Sequence, residues 1–167
     1  MRNSKSLAVG LAAACALTAG VAEAAPAKAP LVVERTGQPT GVIASTATVP
    51  DGMKTVYISG TTPSPPDPAK PEELGDTRAQ TLSILTKMKA TLEGMGMSMG
   101  DVVKMTVFLV APTPGGKMDS AAMNDVFKTF FGTPEQPNKP TRSTIQIAAL
   151  GRPTMYVEIE AIAAKAP

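Results

Sequence analysis

The sequence predicts an α+β fold in which a single mixed β-sheet carries two helices on one face. Six short runs rich in β-branched residues are separated by turns containing Gly and Pro, and two segments carry apolar residues at helical spacing. Their order is strand, strand, strand, helix, strand, helix, strand, strand. Strands and helices in this order form one layered unit, and no internal repeat indicates a second domain.

The first 24 residues are predicted to be a secretory signal peptide. Arg2 and Lys5 precede a mainly apolar run over 7–21, and Ala22-Glu23-Ala24 offers small residues for cleavage. The run is too short to be a comfortable membrane span. We therefore expect a secreted or periplasmic protein that has no membrane contact after cleavage. A lipoprotein acylated at Cys15 is less favoured, because the apolar run continues past that residue.

The composition excludes several classes of function. The sequence has no histidine, and its one cysteine lies within the predicted signal peptide, so the remaining chain offers no disulfide, no thiol nucleophile and no histidine base. No metal site and no cofactor are expected for the same reason. The formal net charge is +2 and Trp is absent, which argues against nucleic acid as a partner.

The N-terminal part is predicted to be extended. Residues 25–40 are interpreted as a flexible lead-in and a first strand, and β-branched residues predict strands over 42–49 and 55–60. Because Pro50-Asp51-Gly52 is a turn, these two strands are expected to form a hairpin. Five prolines in 61–75 exclude a helix interior or a central strand, so this segment is a surface loop. It is either a linker or a flap over a site.

Two helices follow, with a buried strand over 102–110 between them. The first begins at Asp76 or Thr77 and ends near Gly94 and Gly96. The second begins at about Ser120 and stops before Pro134. The predicted buried stripe of the first helix is Thr81, Leu85, Met88 and Leu92. The predicted apolar stripe of the second is Met123, Phe127, Phe130 and Phe131.

The last two strands, 141–147 and 156–161, alternate polar and apolar residues. Successive side chains of a strand point to opposite faces, so one face of each is apolar and faces the helices. Arg142 and Glu158 are then expected together on the opposite surface. A guanidinium and a carboxylate held close on a rigid sheet can bind an anion and activate a water.

A sheet covered on one face leaves its other face open. Tyr57, Met105 and Val107 are expected to alternate onto this open face. Association with other copies of the chain is the natural way to bury it.

Four segments resemble the RidA/YjgF family of imine deaminases, and the resemblance extends from about residue 42 to residue 163. The segments are 56–60, Asp76-Thr77-Arg78-Ala79-Gln80, 123–131, and 140–143 continuing to 157–163. Residues 41–167 are therefore assigned to a RidA-like domain. The resemblance implies a chorismate-mutase-like fold and a homotrimer with ligand sites between subunits. It also implies cofactor-free hydrolysis of small 2-imino acids to 2-keto acids and ammonia.

The resemblance assigns roles to five residues. Arg142 matches the arginine that binds the substrate carboxylate, for which a planar two-pronged donor is suited. Glu158 matches the carboxylate that positions the attacking water. Ser59 and Asn124 match polar residues of the cleft. Thr144 stands where many members have a cysteine whose backbone amide contacts the ligand, and a threonine keeps that amide.

One segment departs from the family pattern. Members active as deaminases usually carry Gly-Pro-Tyr ahead of the second strand, whereas residues 39–45 contain no aromatic. Two functions therefore remain open. The first is an enamine and imine deaminase, and the second is a non-catalytic member that binds small carboxylates in the same cleft.

Overall fold

The computed structural model describes residues 29–167, so the predicted signal peptide lies outside the described residues. None of the helices in this part of the chain is long and apolar enough to cross a membrane. The elements are β1 (Glu34–Thr36), β2 (Thr46–Thr48), β3 (Lys54–Thr61), α1 (Thr77–Gly94), a 3₁₀ turn (Met99–Asp101), β4 (Val102–Leu109), α2 (Ser120–Phe127), β5 (Thr141–Gln146) and β6 (Val157–Lys165).

The main sheet has four strands in the order β3-β6-β4-β5. β6 is antiparallel to β3 and β4, whereas β4 and β5 are parallel, so the sheet is mixed and the predicted α+β class is confirmed. β1 and β2 form a separate two-stranded sheet. The predicted hairpin between the second and third strands is wrong, because β3 pairs with β6 instead. The nine-residue β6 offers β3 a long partner, whereas β2 has three residues.

Both helices pack on one face of this sheet, as predicted. Asp76 caps α1 by accepting from the backbone N–H of Ala79 at 2.8 Å. Side chains of α1 and α2 meet those of β4 and β6 in one buried cluster. Its fully buried members include Ile84, Leu85, Leu92, Met105, Val107, Leu109, Met123, Phe127, Val157 and Ile159.

The opposite face of the sheet, here called the open face, is not covered by either helix of the described residues. Tyr57 lies on it and is 77% exposed, as predicted. Met105 and Val107 are fully buried on the helix face, so their predicted exposure is wrong. β4 is an inner strand, and its alternate residues Lys104 and Thr106 occupy the open face.

The proline-rich segment 61–75 is held against the body of the protein. The Lys87 ammonium of α1 donates to the carbonyl of Thr62 and, at 3.1 Å, to Ser64 Oγ. At the other end, Arg152 Nη1 donates to the carbonyl of Pro71 at 3.0 Å. The segment is therefore tied to α1 and to the connection between β5 and β6.

Candidate active site

Arg142 lies on the helix face of β5, because it is in register with the buried Met105 of β4. Its guanidinium carbon is 4.3 Å from the centre of the Phe127 ring, a cation–π arrangement. Nη2 donates to Asn124 Oδ1 at 2.7 Å, and Nη1 is 3.7 Å from the Met123 sulfur. Burial lowers the pKa of the Arg142 guanidinium, yet within residues 29–167 no carboxylate is in ion-pair contact with it. A half-buried cation without a counter-ion favours an anionic ligand.

Thr144 follows Arg142 by two positions in β5 and presents a backbone amide that β4 does not use. The N–H of Ile147 donates to the carbonyl of Leu109 at 2.8 Å, so odd-numbered residues of β5 bond to β4. The N–H of Thr144 therefore points away from β4, toward the free edge of the sheet. Thr144 Oγ1 is buried and has no hydrogen-bond partner within the described residues. We call Asn124, Arg142 and Thr144 the arginine half-site.

Glu158 lies on the open face, since it pairs with Phe108 of β4, whose neighbours Val107 and Leu109 point into the core. Its carboxylate lies against β3 at Gly60, where an added Cβ would stand 1.9 Å from Glu158 Oε1. Ser59 lines a cleft on the same face. We call Ser59, Gly60 and Glu158 the carboxylate half-site.

The prediction that Arg142 and Glu158 emerge on one surface of a single chain is wrong. The register of β5 turns Arg142, Thr144 and Gln146 toward the helices and leaves Ile145 45% exposed on the open face. The polar side of β5 can face this way because α2 and the loop before it supply hydrogen-bond partners. Besides the contacts of Arg142, Gln146 accepts from the backbone N–H of Met118 at 2.8 Å. The five predicted residues thus fall into two groups on opposite faces.

Two clefts are larger than about 300 Å³ within the described residues, one on the open face and one formed by loops. One of about 350 Å³ on the open face is lined by Tyr57, Ser59, Lys104 and Glu160, among others. Another, of about 510 Å³, lies where the loop 110–116 meets the connection between β5 and β6. Neither encloses Arg142. Within residues 29–167, no group of three or more His, Cys, Asp or Glu side chains is placed to hold a metal ion.

Sequence reasoning did not assign a site role to Phe127 or Gly60. Phe127 was predicted as part of the apolar stripe of α2, but its ring also supports the Arg142 guanidinium. Gly60 lies in segment 56–60, one of the four that resemble the family. Its contact with the Glu158 carboxylate depends on the pairing of β3 with β6. Helical spacing does not predict that Phe127 contacts Arg142, and a Ser-Gly pair does not predict that Gly60 contacts Glu158.

A family model described as Endoribonuclease L-PSP matches residues 45–165, well over half of the chain. The chain belongs to the RidA/YjgF family. A protein of Escherichia coli (strain K12), "Putative reactive intermediate deaminase TdcF", is 37% identical over 110 residues, which are 66% of this chain and 78% of that protein. The "RutC family protein PH0854" of Pyrococcus horikoshii is 36% identical over 110 residues, covering 66% of this chain and 79% of that protein.

Solved structures of the RidA/YjgF family agree with this assignment. E. coli TdcF with bound serine is 31% identical, covers 80% of this chain and 99% of that one, and has a TM-score of 0.54. RidA from the Antarctic bacterium Psychrobacter sp. PAMC 21119 is 30% identical to this chain and has a TM-score of 0.53. The match covers 81% of this chain and 98% of that one. A Rid-family protein of Yersinia pestis, 24% identical, covers 80% and 98% with a TM-score of 0.63 and supports the fold alone. The predicted chorismate-mutase-like fold is confirmed.

Proposed function

We propose that the protein hydrolyses small 2-imino acids to 2-keto acids and ammonia, in a site that two copies of the chain build together. The observation that carries this proposal is the half-buried guanidinium of Arg142, stacked on Phe127 and without a carboxylate counter-ion among residues 29–167. Family membership, and relatives whose names describe reactive intermediate deaminases, support the class of reaction.

The position of Glu158 requires a second copy. Within one chain the sheet separates Glu158 from Arg142, so one protomer does not join the two half-sites. In a homotrimer, the arginine half-site of one protomer meets the carboxylate half-site of its neighbour. The exposed Tyr57 ring and the cleft on the open face support contact between copies through that face.

The reaction follows from the chemistry of these groups. The substrate carboxylate accepts hydrogen bonds from Arg142 and from the backbone N–H of Thr144, which fixes the imine carbon in place. The neighbour's Glu158 accepts a proton of a water and directs its oxygen to that carbon. Addition of the hydroxide to the protonated imine gives a carbinolamine. The proton held by Glu158 passes to the carbinolamine nitrogen, ammonia leaves, and Glu158 accepts the hydroxyl proton as the 2-keto acid forms. No covalent intermediate forms, which suits a chain without histidine.

A second candidate is a non-catalytic protein that captures small carboxylates at Arg142. It is favoured by residues 39–45, which contain no aromatic. The backbone N–H of Ala44 donates to the carbonyl of Pro140 at 3.0 Å, so this segment lies beside the start of β5. Val42 and Ile43 pack on the buried cluster there. Under this reading, carboxylates bind without turnover.

Release of ammonia and keto acid from freshly generated imino acids separates the two functions. Deamination by the wild type, lost in Arg142→Ala, supports the enzyme. Binding of small carboxylates without product release supports the capture protein.

We also propose that the protein works outside the cytoplasm. Fractionation of cells that express the full chain tests this, and retention in the cytoplasm contradicts it.

Mixed oligomers test the shared site. Arg142→Ala and Glu158→Gln chains, each with its own tag, are co-expressed and purified on both tags. In a mixed trimer, about one of the three interfaces keeps both intact half-sites, so about a third of wild-type activity returns. Oligomers of either variant alone are the controls and are inactive. Mixed oligomers that stay inactive contradict a site built by two copies.

A further inference from the structure

The carboxylate of Glu158 fills the space that a side chain at position 60 would need. A Cβ built on Gly60 would stand 1.9 Å from Glu158 Oε1 and 2.9 Å from Glu158 Cδ. Non-bonded carbon atoms are best separated by about 3.5–4.0 Å, and real Cβ atoms essentially never approach a neighbour within 3.0 Å, so both distances are severe overlaps. Glycine is therefore the residue that leaves room for this carboxylate.

The backbone of β3 is irregular at the same place. Ile58 pairs with Ala161 and Thr61 pairs with Ile159, so three steps along β3 match two steps along β6. The extra residue is a β-bulge over Ser59 and Gly60. Bulges re-aim side chains and occur often beside active sites. Here the bulge lies next to Glu158.

Gly60 does not supply a special backbone conformation. Its φ lies outside the positive region, unlike those of glycines such as Gly37 and Gly52. An alanine could adopt the same backbone, so what Gly60 provides is space. The atoms it would displace belong to the end of a flexible side chain. A methyl group there should move the Glu158 carboxylate and leave the sheet in place.

We propose that Gly60 is a positioning residue, which seats the Glu158 carboxylate in the direction needed to hold the attacking water. This inference rests on the proposed function, because it gives Gly60 a role only through Glu158. Misplacing a catalytic group by about 1 Å can cost about a hundredfold in rate. The effect of Gly60 is therefore expected in kcat, since the substrate carboxylate is bound by Arg142.

The test compares Gly60→Ala with Gly151→Ala. Among residues 29–167, no heavy atom lies within 4 Å of a Cβ added at Gly151, and Gly151 has no positive φ, so it is a matched control. We expect Gly60→Ala to keep its oligomeric state and unfolding midpoint, to change KM by less than about twofold, and to lose about tenfold or more in kcat. Gly151→Ala keeps both kinetic constants. Unchanged kcat in Gly60→Ala, or a loss of fold, overturns the inference.

The double variant Gly60→Ala/Glu158→Gln separates this inference from the proposed function. If Gly60 acts only through Glu158, the double variant is as slow as Glu158→Gln alone, whereas additive losses overturn the inference. Full activity of Glu158→Gln contradicts the proposed function whatever Gly60→Ala does. A crystal structure of Gly60→Ala gives a readout independent of activity. We expect a displaced Glu158 carboxylate, and an unmoved one contradicts the inference.

Discussion

The guanidinium carbon of Arg142 stands 4.3 Å above the ring of Phe127. The aromatic face stabilises the charge while the donors of the guanidinium stay available to a ligand. Asn124 accepts from one terminal nitrogen and fixes the plane of the group. The side chain of a strand residue is thus held by two residues of α2 in the arrangement that we propose binds a carboxylate.

Phe127→Leu should weaken ligand binding at Arg142. Loss of the cation–π contact removes about 0.5–2 kcal/mol, so KM, or Kd for a small carboxylate, should rise about twofold to thirtyfold. Phe131→Leu is the control, because Phe131 stacks on Phe127 at 4.6 Å but is not the ring under Arg142. Equal effects of the two variants on Kd by calorimetry would contradict the special role of Phe127.

Thr144 offers two substitutions with opposite expected results. Thr144→Val removes a buried hydroxyl that has no partner in the described chain, so it should keep activity and raise stability by up to about 1 kcal/mol. Thr144→Pro removes the N–H that faces the free edge, where an edge strand tolerates proline. Loss of this charge-assisted hydrogen bond should weaken carboxylate binding about tenfold or more. Full affinity in Thr144→Pro, measured by calorimetry, would exclude the amide as a contact.

Tyr57→Asp should disrupt the association of copies. Tyr57 is 77% exposed on the open face, and a buried carboxylate in an interface is costly. Sedimentation should show smaller species and the deaminase assay a matching loss. Leu82→Asp is the control, because Leu82 is an apolar residue of α1 that is 49% exposed. A trimeric and active Tyr57→Asp would place the interface elsewhere.

Gln80→Leu should be strongly destabilising. Gln80 is fully buried, donates to the carbonyls of Gly75 and Thr154 at 2.9 and 2.8 Å, and accepts from the N–H of Tyr156 at 2.7 Å. Leucine would leave these backbone groups without partners, at a cost of about 3 kcal/mol or more. Urea unfolding at one fixed protein concentration measures it. Thr86→Ala, an exposed change in the same helix, should shift stability by less than about 0.5 kcal/mol.

Lys87 should make stability depend on pH in alkaline solution. Burial lowers the pKa of Lys87 from 10.5, so above the folded-state pKa the unfolded chain binds more protons. The contribution of Lys87 to stability therefore rises as pH increases from below the folded pKa toward 10.5. Relative to Lys87→Met, the wild type should gain stability in urea titrations across this range. Lys89→Met, which removes an exposed lysine, corrects for the general effect of charge. If the stability difference between the wild type and Lys87→Met fell as pH rises, the predicted pH dependence would be wrong.

Much of the fold could be predicted because its signals are local. The apolar residues of α1 recur at helical spacing, the Asp76 cap lies next to that helix, and both features are confirmed. The pairing of β3 with β6 was missed, since the two strands are about a hundred residues apart. A turn at residues 50–52 favoured a local hairpin, whereas the sheet joins β3 to the longer, distant strand.

The face of Arg142 was predicted wrongly for a physical reason. Alternation says which residues of a strand share a face, but not which face meets the helices. The usual assignment puts the apolar side inward. In β5 the polar side faces inward, because Phe127 and Asn124 provide partners for Arg142. That preference arises from α2 and could not be read from the strand.

The amino-acid sequence by itself determined the family and the α+β class, because both depend on residue types and spacings within short segments, and it predicted five site residues. Tertiary structure alone decided that Arg142 and Glu158 stand on opposite faces, and that Gly60 lies beneath the Glu158 carboxylate. Such relationships depend on strand register and on the order of strands in the sheet. Both are set by contacts between segments far apart in the chain, which no local pattern contains.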